Sequence, residues 1–430
     1  MIAMLDIKLL REQTEVVRKD LERRHDSKKI EQLDEFVSKD KLYREKLQEV
    51  EKLKQQRNQI SKEISELKKD GKDASEKMKI AGELPEKLKT LEEEVKELKE
   101  RCRVLHMGFP NMLHESVPYG KDDTENVEIK RWGEAPKFDF TPKDHVTLAE
   151  NLGIMDRERA TKTSGAGFLF LKGKLAILDY ALMRFAMDFM TKRGYTMVEP
   201  PLMLKKKAYE GVTGLEDFID VMYKIEGEDL YLIATSEHAV GAMMMDETIN
   251  EKDLPLKFCG VSPCFRKEVG AHGKYTKGLF RMHNFNKIEQ FVFCRPENSW
   301  KFHEEILKNS EELFQELGLH YRVVNICTGD IGLLAAKKYD IEVWMADGKF
   351  RETHSASNCT DYQARRSNVK YREKEGAVAK GFVHTLNNTC VATSRALIAI
   401  LEQYQQKDGS IKIPDVLVPY TGFDVIKKGE

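Results

Sequence analysis

The chain has 430 residues, a third of them charged, and its 71 Lys plus Arg nearly cancel its 72 Asp plus Glu to leave a net charge of -1. That length accommodates one large enzymatic domain and a second module of roughly a hundred residues, while the neutral balance excludes a global field attracting a polyanion, so nucleic-acid affinity must come from local patches. No apolar stretch approaches the ~20 residues needed to span a bilayer, and the segment from Met1 to Arg24 alternates apolar residues with charges, unlike a signal peptide. No membrane association and a cytoplasmic address are expected. The seven cysteines, Cys102, Cys259, Cys264, Cys294, Cys327, Cys359 and Cys390, are odd in number and have no pair at the short spacing of a zinc site. They read as reduced core thiols, and no structural zinc is expected.

From Tyr43 the apolar residues Leu47, Val50, Leu53, Ile60, Ile64 and Leu67 fall mostly three and four apart, with Arg57 on the seam. After the breaker Asp70-Gly71-Lys72-Asp73 the pattern returns at Leu84, Leu88, Leu91, Val95, Leu98, Cys102 and Leu105. Each stripe is narrow enough to need a partner helix, which predicts two antiparallel helices, the outgoing one reaching roughly 35 to 40 Å. Lys52, Lys54, Arg57, Lys62, Lys68, Lys69, Lys72, Lys77 and Lys79 crowd towards its tip, interleaved with glutamates. A dimerising coiled coil and a grip on a phosphate backbone both fit that pattern. The aperiodic run from Phe109 through Val117-Pro118-Tyr119-Gly120 marks a linker. The domains expected are a helical arm over 1–108, a linker over 109–135 and a catalytic domain over 136–430.

The spacing in Leu175 to Met190 predicts a helix, followed by a strand that stops at Pro200-Pro201. A short strand, Tyr231 to Ala234, leads into Thr235-Ser236-Glu237-His238. Two strands, Lys257 to Glu268 and Leu279 to Phe293, flank the Gly-rich run Val269 to Gly278 and predict an antiparallel hairpin with a long mobile loop. The period of two puts Arg266 with Glu268 on one face, and Arg281, His283, Phe285, Lys287 and Glu289 together on the other strand. A solvated sheet face shows similar alternation. The residue kinds favour a nucleotide site instead: guanidinium for phosphate, ring for adenine, carboxylate for an amine. At the end, Asn387 or Asn388 is read as a cap for an amphipathic helix carrying Arg395, Leu397, Ile400 and Leu401.

Three ordered segments carry a resemblance: the helix and strand ending at Pro201; Cys264-Phe265-Arg266-Lys267-Glu268 with Phe280-Arg281-Met282-His283-Asn284-Phe285-Asn286-Lys287-Ile288-Glu289; and Thr385-Leu386-Asn387 through Arg395. They resemble the three signature motifs of class II aminoacyl-tRNA synthetases. Gln55 to Lys62, Pro110-Asn111, Thr235-Ser236-Glu237, the run Arg351-Glu352-Thr353-His354-Ser355-Ala356-Ser357-Asn358 and Ile413-Pro414-Asp415 resemble the seryl enzymes, in variants closer to archaeal and eukaryotic cytosolic members. The resemblance implies an α+β fold, with an antiparallel catalytic sheet flanked by helices and an N-terminal antiparallel coiled-coil arm.

The resemblance further implies a serine--tRNA ligase that consumes ATP and L-serine, works as a homodimer through the first motif, and grips tRNA(Ser) with its arm; tRNA(Sec) stays open as a second acceptor. Arg266 and Arg395 would be catalytic. Arg266, Lys267, Glu268, Arg281, Met282, Phe285, Glu352, Thr353, His354, Ser355 and Arg395 would contact ATP, with Mg2+ held by Glu352 and Ser355. Thr235, Ser236, Glu237, Arg266, Glu289, Asn387 and Thr389 would line the serine pocket. His272, His283 and His384, with His354, read as packing or hydrogen-bonding residues rather than a metal cluster. An amino-acid ligase loading a carrier protein would lack the arm, and a non-catalytic relative would lose Arg266, Glu268, Glu352 or Arg395, all of which are present.

Overall fold

The computed structural model describes residues 5–214, 220–268 and 278–429. Most of the predicted Gly-rich loop, including His272, lies outside them. The chain divides into two compact units, one ending at Phe109 and the other Pro110–Glu430. No described helix is long and apolar enough to cross a membrane.

The first unit is dominated by α1 (Ser27–Lys69) and α2 (Ser75–Met107). Lys46 pairs with Glu94 at 3.0 Å and Lys54 with Glu92 at 2.6 Å, so the two helices run antiparallel. Exposed pairs of this kind are worth under about 1 kcal/mol each; the seam is held by Val50, Leu88 and Leu91, with Leu53 and Val95 against them. The 43 residues of α1 span about 64 Å, longer than the expected 35 to 40 Å. The helix starts earlier because Leu33 and Phe36 extend the buried stripe towards the N-terminus, and the Asp26 carboxylate caps it by accepting from Lys29 N. Lys52, Arg57, Lys68, Lys69 and Lys79 are exposed.

The second unit is built on a sheet with eight strands among the described residues. In chain order its elements are β1 (Val127–Trp132), α3 (Lys174–Lys192), β2 (Thr196–Val198), α4 (Ser236–Ala242), β3 (Leu256–Phe265), β4 (Asn284–Cys294), α5 (Ser299–Glu316), β5 (Tyr321–Asn325), β6 (Lys337–Trp344), β7 (Phe350–Asn358), α6 (Tyr362–Ser367), β8 (His384–Ala392) and α7 (Thr393–Gln403). The strand order is β1-β5-β6-β7-β8-β4-β3-β2, antiparallel except for the β2–β3 pair. One face is apolar and is covered by α3, α5 and α7, whose Leu178, Leu182, Phe302, Ile306, Phe314, Leu397 and Ile400 pack on Ile288, Val292, Ile341, Val343 and Val391. That burial drives the fold. The opposite face carries a smaller apolar cluster around Phe291, Phe293 and Val240 and, beside it, the polar residues of the site.

Three expectations change. Residues 110–135 are not a separate linker: Val127–Trp132 pairs with β5, and Asn111 Nδ2 donates to Leu334 O at 2.9 Å and Cys359 O at 2.8 Å. Aperiodic sequence marks irregular backbone, but its polar groups still need partners, and the sheet supplies them. The hairpin strands are shorter than read, β3 ending at Phe265 and β4 starting at Asn284, so Arg266, Glu268, Arg281 and His283 fall outside the regular alternation. Glu268 adopts a positive φ of 47°. Finally, Asn387 and Asn388 cap no helix; they lie inside β8, and α7 begins at Thr393 without a side-chain cap. Pairing with β7 and β4 overrides their preference for caps.

Candidate active site

Residues directly opposite in paired strands project to the same face. The register aligns Glu342 with Glu352, Asp340 with Ser355, Ser357 with Asn387, Thr389 with Glu289, Glu289 with Gly260 and Lys287 with Ser262. This chain of pairs carries one polar face across five strands. Two register shifts keep it continuous, between Ile341 and Glu342 and between Thr389 and Val391.

At one end of this face two acids are held ready for a cation. Thr235 caps α4 by accepting from Glu237 N at 3.1 Å, which aims Glu237 out of the first helical turn. Its Oε1 accepts from Asn387 Nδ2 at 3.1 Å and from Gln363 Nε2 at 3.3 Å. Gln363 is itself fixed, donating to Val212 O at 2.9 Å and accepting from Thr385 Oγ1 at 2.7 Å. The second acid, Glu289, is buried; its Oε2 pairs with Lys287 Nζ at 2.6 Å and accepts from Thr389 Oγ1 at 3.3 Å. Burial, then the nearby Glu289 carboxylate, pushes the Glu237 carboxyl up to about 7 against the pull of Lys287 and Arg266. Lys287 pairs directly with Glu289, while Glu237 has no cation within ion-pair distance among the described residues, so an amino group would bring it one.

At the other end the groups suit a nucleotide. Arg266 donates through Nε to Ala234 O at 3.2 Å, and its guanidinium lies 5.4 Å from the centre of the Phe285 ring. Arg281 pairs with Glu268 at 2.9 Å. Arg395, in the first turn of α7, donates to Glu352 O at 2.7 Å, approaches its carboxylate at 3.3 Å and covers the Phe280 ring at 5.0 Å. Partial desolvation would raise the half-exposed Glu352 carboxyl; Arg395, then Lys338 and Arg266, outweigh it and hold the group below the usual range. Met282 is buried, and Lys267 hydrogen-bonds through its backbone N to Val221 O. Ser355 lies opposite Asp340 on the polar face.

Three expected contacts are not on this face. The register shift in β7 turns His354 opposite Ile341 into the core, where its ring packs edge-on against Phe314 at 4.3 Å and Nε2 meets Cys390 O at 3.0 Å. Burial drops its pKa to about 3, so it is a neutral core histidine. Thr353 is buried with its hydroxyl donating to Ile341 O. Ser236 is fully buried, donating to Gly260 O at 3.1 Å, and so anchors α4 to β3 instead of facing the cleft. Gln363 and Thr385, which orient Glu237, are additions; Thr385 opens the third signature segment while Gln363 lies in none of the three, and only the fold brings them together. His283 stacks on Phe168 at 4.7 Å and hydrogen-bonds Tyr223, as a packing residue does.

Comparisons with known proteins agree with both units. Residues 221–404 match the tRNA synthetase class II core domain (G, H, P, S and T), and residues 4–113 match the seryl-tRNA synthetase N-terminal domain. Serine--tRNA ligase of Methanocella arvoryzae is 57% identical over 418 residues, covering 97% of this chain and 98% of the relative. Among solved structures, seryl-tRNA synthetase from Pyrococcus horikoshii complexed with ATP is 49% identical with a TM-score of 0.94, covering 99% of this chain and all of that one. The cytoplasmic serine-tRNA ligase from Naegleria fowleri in complex with AMP is 35% identical with a TM-score of 0.88, covering 99% of each chain. With a paired helical arm, an antiparallel sheet and likeness along nearly the whole length, the chain belongs to the seryl-tRNA synthetases, the serine--tRNA ligases of class II.

Proposed function

We propose that the polar face divides the work of a serine--tRNA ligase, the pair Glu237 and Glu289 receiving the ammonium of L-serine while Arg266 and Arg395 receive the phosphates of ATP. The observation that carries this reading is the shortfall of positive charge around the two acids, beside a guanidinium that already lies over an aromatic ring. In the first step the serine carboxylate attacks the α-phosphorus in line and pyrophosphate leaves; in the second, a tRNA(Ser) 3′-terminal hydroxyl attacks the seryl-adenylate carbonyl and AMP leaves. No protein nucleophile is needed. The residues act by holding the carboxylate and α-phosphorus in attacking geometry and by placing positive charge where phosphoryl charge develops.

Arg266 bridges the serine carboxylate and the α-phosphate, Arg395 meets the γ-phosphate, and Phe285 stacks on adenine, with Glu268 and the Met282 main chain reading its edge. Thr389 and Asn387 close the serine pocket, where a hydroxyl partner rejects alanine by leaving polar groups unpaired. Glu352 and Ser355 would hold Mg2+, a fit supported by hard oxygen donors on one face and by the neighbouring buried oxygen Asp340 Oδ1, which has no hydrogen-bond partner. The bound cation would neutralise phosphate charge. A homodimer through α3 fits the exposed Ile177 and Tyr180 on the outer side of that helix. The arm is assigned to tRNA(Ser) on its exposed Lys and Arg residues, and the seven unpaired cysteines accord with a reducing cytoplasm. The test is Arg266→Ala: serine-dependent pyrophosphate exchange should fall at least about a thousandfold with an unchanged circular dichroism spectrum. Near-wild-type exchange would overturn the assignment.

A further inference from the structure

Asp340 is an acid that the division of labour above leaves without a task. It lies in the middle of β6, only 7% exposed, in register with Ser355 of β7. Opposite residues project to the same face, so its carboxylate lies beside the Ser355 side chain. One of its oxygens, Oδ1, is buried and has no hydrogen-bond partner. Glu352 is close enough to repel it, and the positive group on the same side, Lys338, donates its ammonium to Asp330 O at 3.4 Å. An isolated carboxylate oxygen withdrawn from water is costly, and such groups persist where something else supplies the missing partner.

We propose that Asp340 is a positioning residue for the divalent cation that accompanies ATP, orienting Ser355 and receiving a cation-bound water on its free oxygen. This rests on the assignment of Glu352 and Ser355 as the cation's ligands. The chemistry follows from donor and acceptor roles. A serine hydroxyl has one proton and two lone pairs. Giving the proton to Asp340 turns the lone pairs outward, where a cation can use them, and the partial negative charge on the oxygen rises. Partners that orient a metal ligand in this way typically contribute 10- to 100-fold in metal affinity. Asp340 Oδ1 also matches the habit of Mg2+, which keeps several of its waters and needs acceptors for their protons. Glu352, now paired with Arg395 at 3.3 Å, is the exposed member of the set and so the one able to swing onto the ion.

A purely structural acid and a cation-positioning acid predict opposite stabilities. If Asp340 served the fold, Asp340→Asn would lower the melting temperature of the full-length chain in chelator. If it serves the cation, the substitution removes a buried, under-satisfied charge and the chelated protein melts at the same temperature or higher. The probe is Mn2+ with a non-hydrolysable ATP analogue, followed by the electron paramagnetic resonance signal of free Mn2+. Asp340→Asn should weaken Mn2+ binding to the protein–nucleotide complex by at least about tenfold, with the serine dissociation constant changed less than twofold; Asp340→Ala should show the same cation defect. Wild-type Mn2+ affinity in both variants, or a lower melting temperature in chelator with no cation defect, overturns the proposal. Glu352→Gln separates it from its premise: if that variant also binds Mn2+ normally, the cation site itself is misassigned.

Discussion

Asn387, in the middle of β8, donates a 3.1 Å hydrogen bond to Glu237 at the start of α4, tying the third signature segment to the acid proposed to receive the amino group. The same oxygen takes the Gln363 amide, whose orientation is set by Val212 O. Glu237 therefore has a fixed direction but an unsettled charge.

That charge gives a pH dependence. The Glu237 carboxyl is raised from 4.5 to about 7, so the folded chain holds a proton that the unfolded chain has already released. The stability contributed by this group is full below about pH 4.5 and is lost as pH rises towards about 7. An ammonium ligand favours the carboxylate, so serine must expel that proton in acid. Serine KM in pyrophosphate exchange should rise as pH falls from about 7.5 to 5.5, approaching tenfold per unit. Glu237→Gln should bind serine weakly with a flat profile over the same range; an identical slope in both proteins would assign the titration elsewhere.

The Thr389 hydroxyl donates to Glu289 at 3.3 Å, and in the proposed pocket it exchanges that bond for one with the substrate hydroxyl. Thr389→Ala should cut the preference for serine over alanine in adenylation by roughly tenfold or more, out of a discrimination of up to ~10⁴. The readout is the ratio of kcat/KM for the two amino acids. An unchanged ratio would remove Thr389 from the pocket.

Gly260 lies opposite Glu289, under the start of α4, and a Cβ there would come within 2.7 Å of Ser236 Cβ and 3.1 Å of Val240 Cγ2. Both neighbours belong to the helix that carries Glu237. Gly260→Ala should displace α4, raising serine KM roughly tenfold or more while ATP KM moves less, at a stability cost of about 1–3 kcal/mol. A mutant with wild-type serine KM would show that the helix moves freely against β3.

For the arm, replacing Lys68, Lys69 and Lys79 with Glu should leave pyrophosphate exchange within twofold of wild type. It should lower kcat/KM for tRNA(Ser) charging by about tenfold or more and flatten its dependence on salt. Unaltered charging would reduce these lysines to solvated surface.

The arm was legible in the sequence because heptad spacing is local, and its length was underestimated because the charged Asp40, buried against Arg11, interrupts the apolar spacing between Phe36 and Tyr43. The hairpin residues Phe285, Lys287 and Glu289 were legible for a similar reason, since a period of two sorts them without any tertiary information. His354 stood among the ATP contacts by resemblance and also read as a packing residue; it lies in the core because β7 inserts an extra residue opposite Ile341 and Glu342, which the sequence pattern does not reveal. Gln363 escaped because its partners, Val212, Glu237 and Thr385, come from three distant segments. Asn387 was read as a possible helix cap and lies inside β8, for a cap preference is weaker than two flanking strands.

The bulge in β7 acts as a reading frame. Upstream of it Glu352 points into the cleft, and downstream His354 points into the core and Ser355 back out. Losing Thr353, the extra residue, would restore plain alternation and leave Glu352 and Ser355 on the cleft face, whereas losing Ala356 from the regular stretch beyond it would turn Ser357 towards the core. In a library of one-residue deletions, loss of Thr353 should therefore be better tolerated than loss of a residue from the regular part of the strand, a contrast that substitutions alone would not reveal.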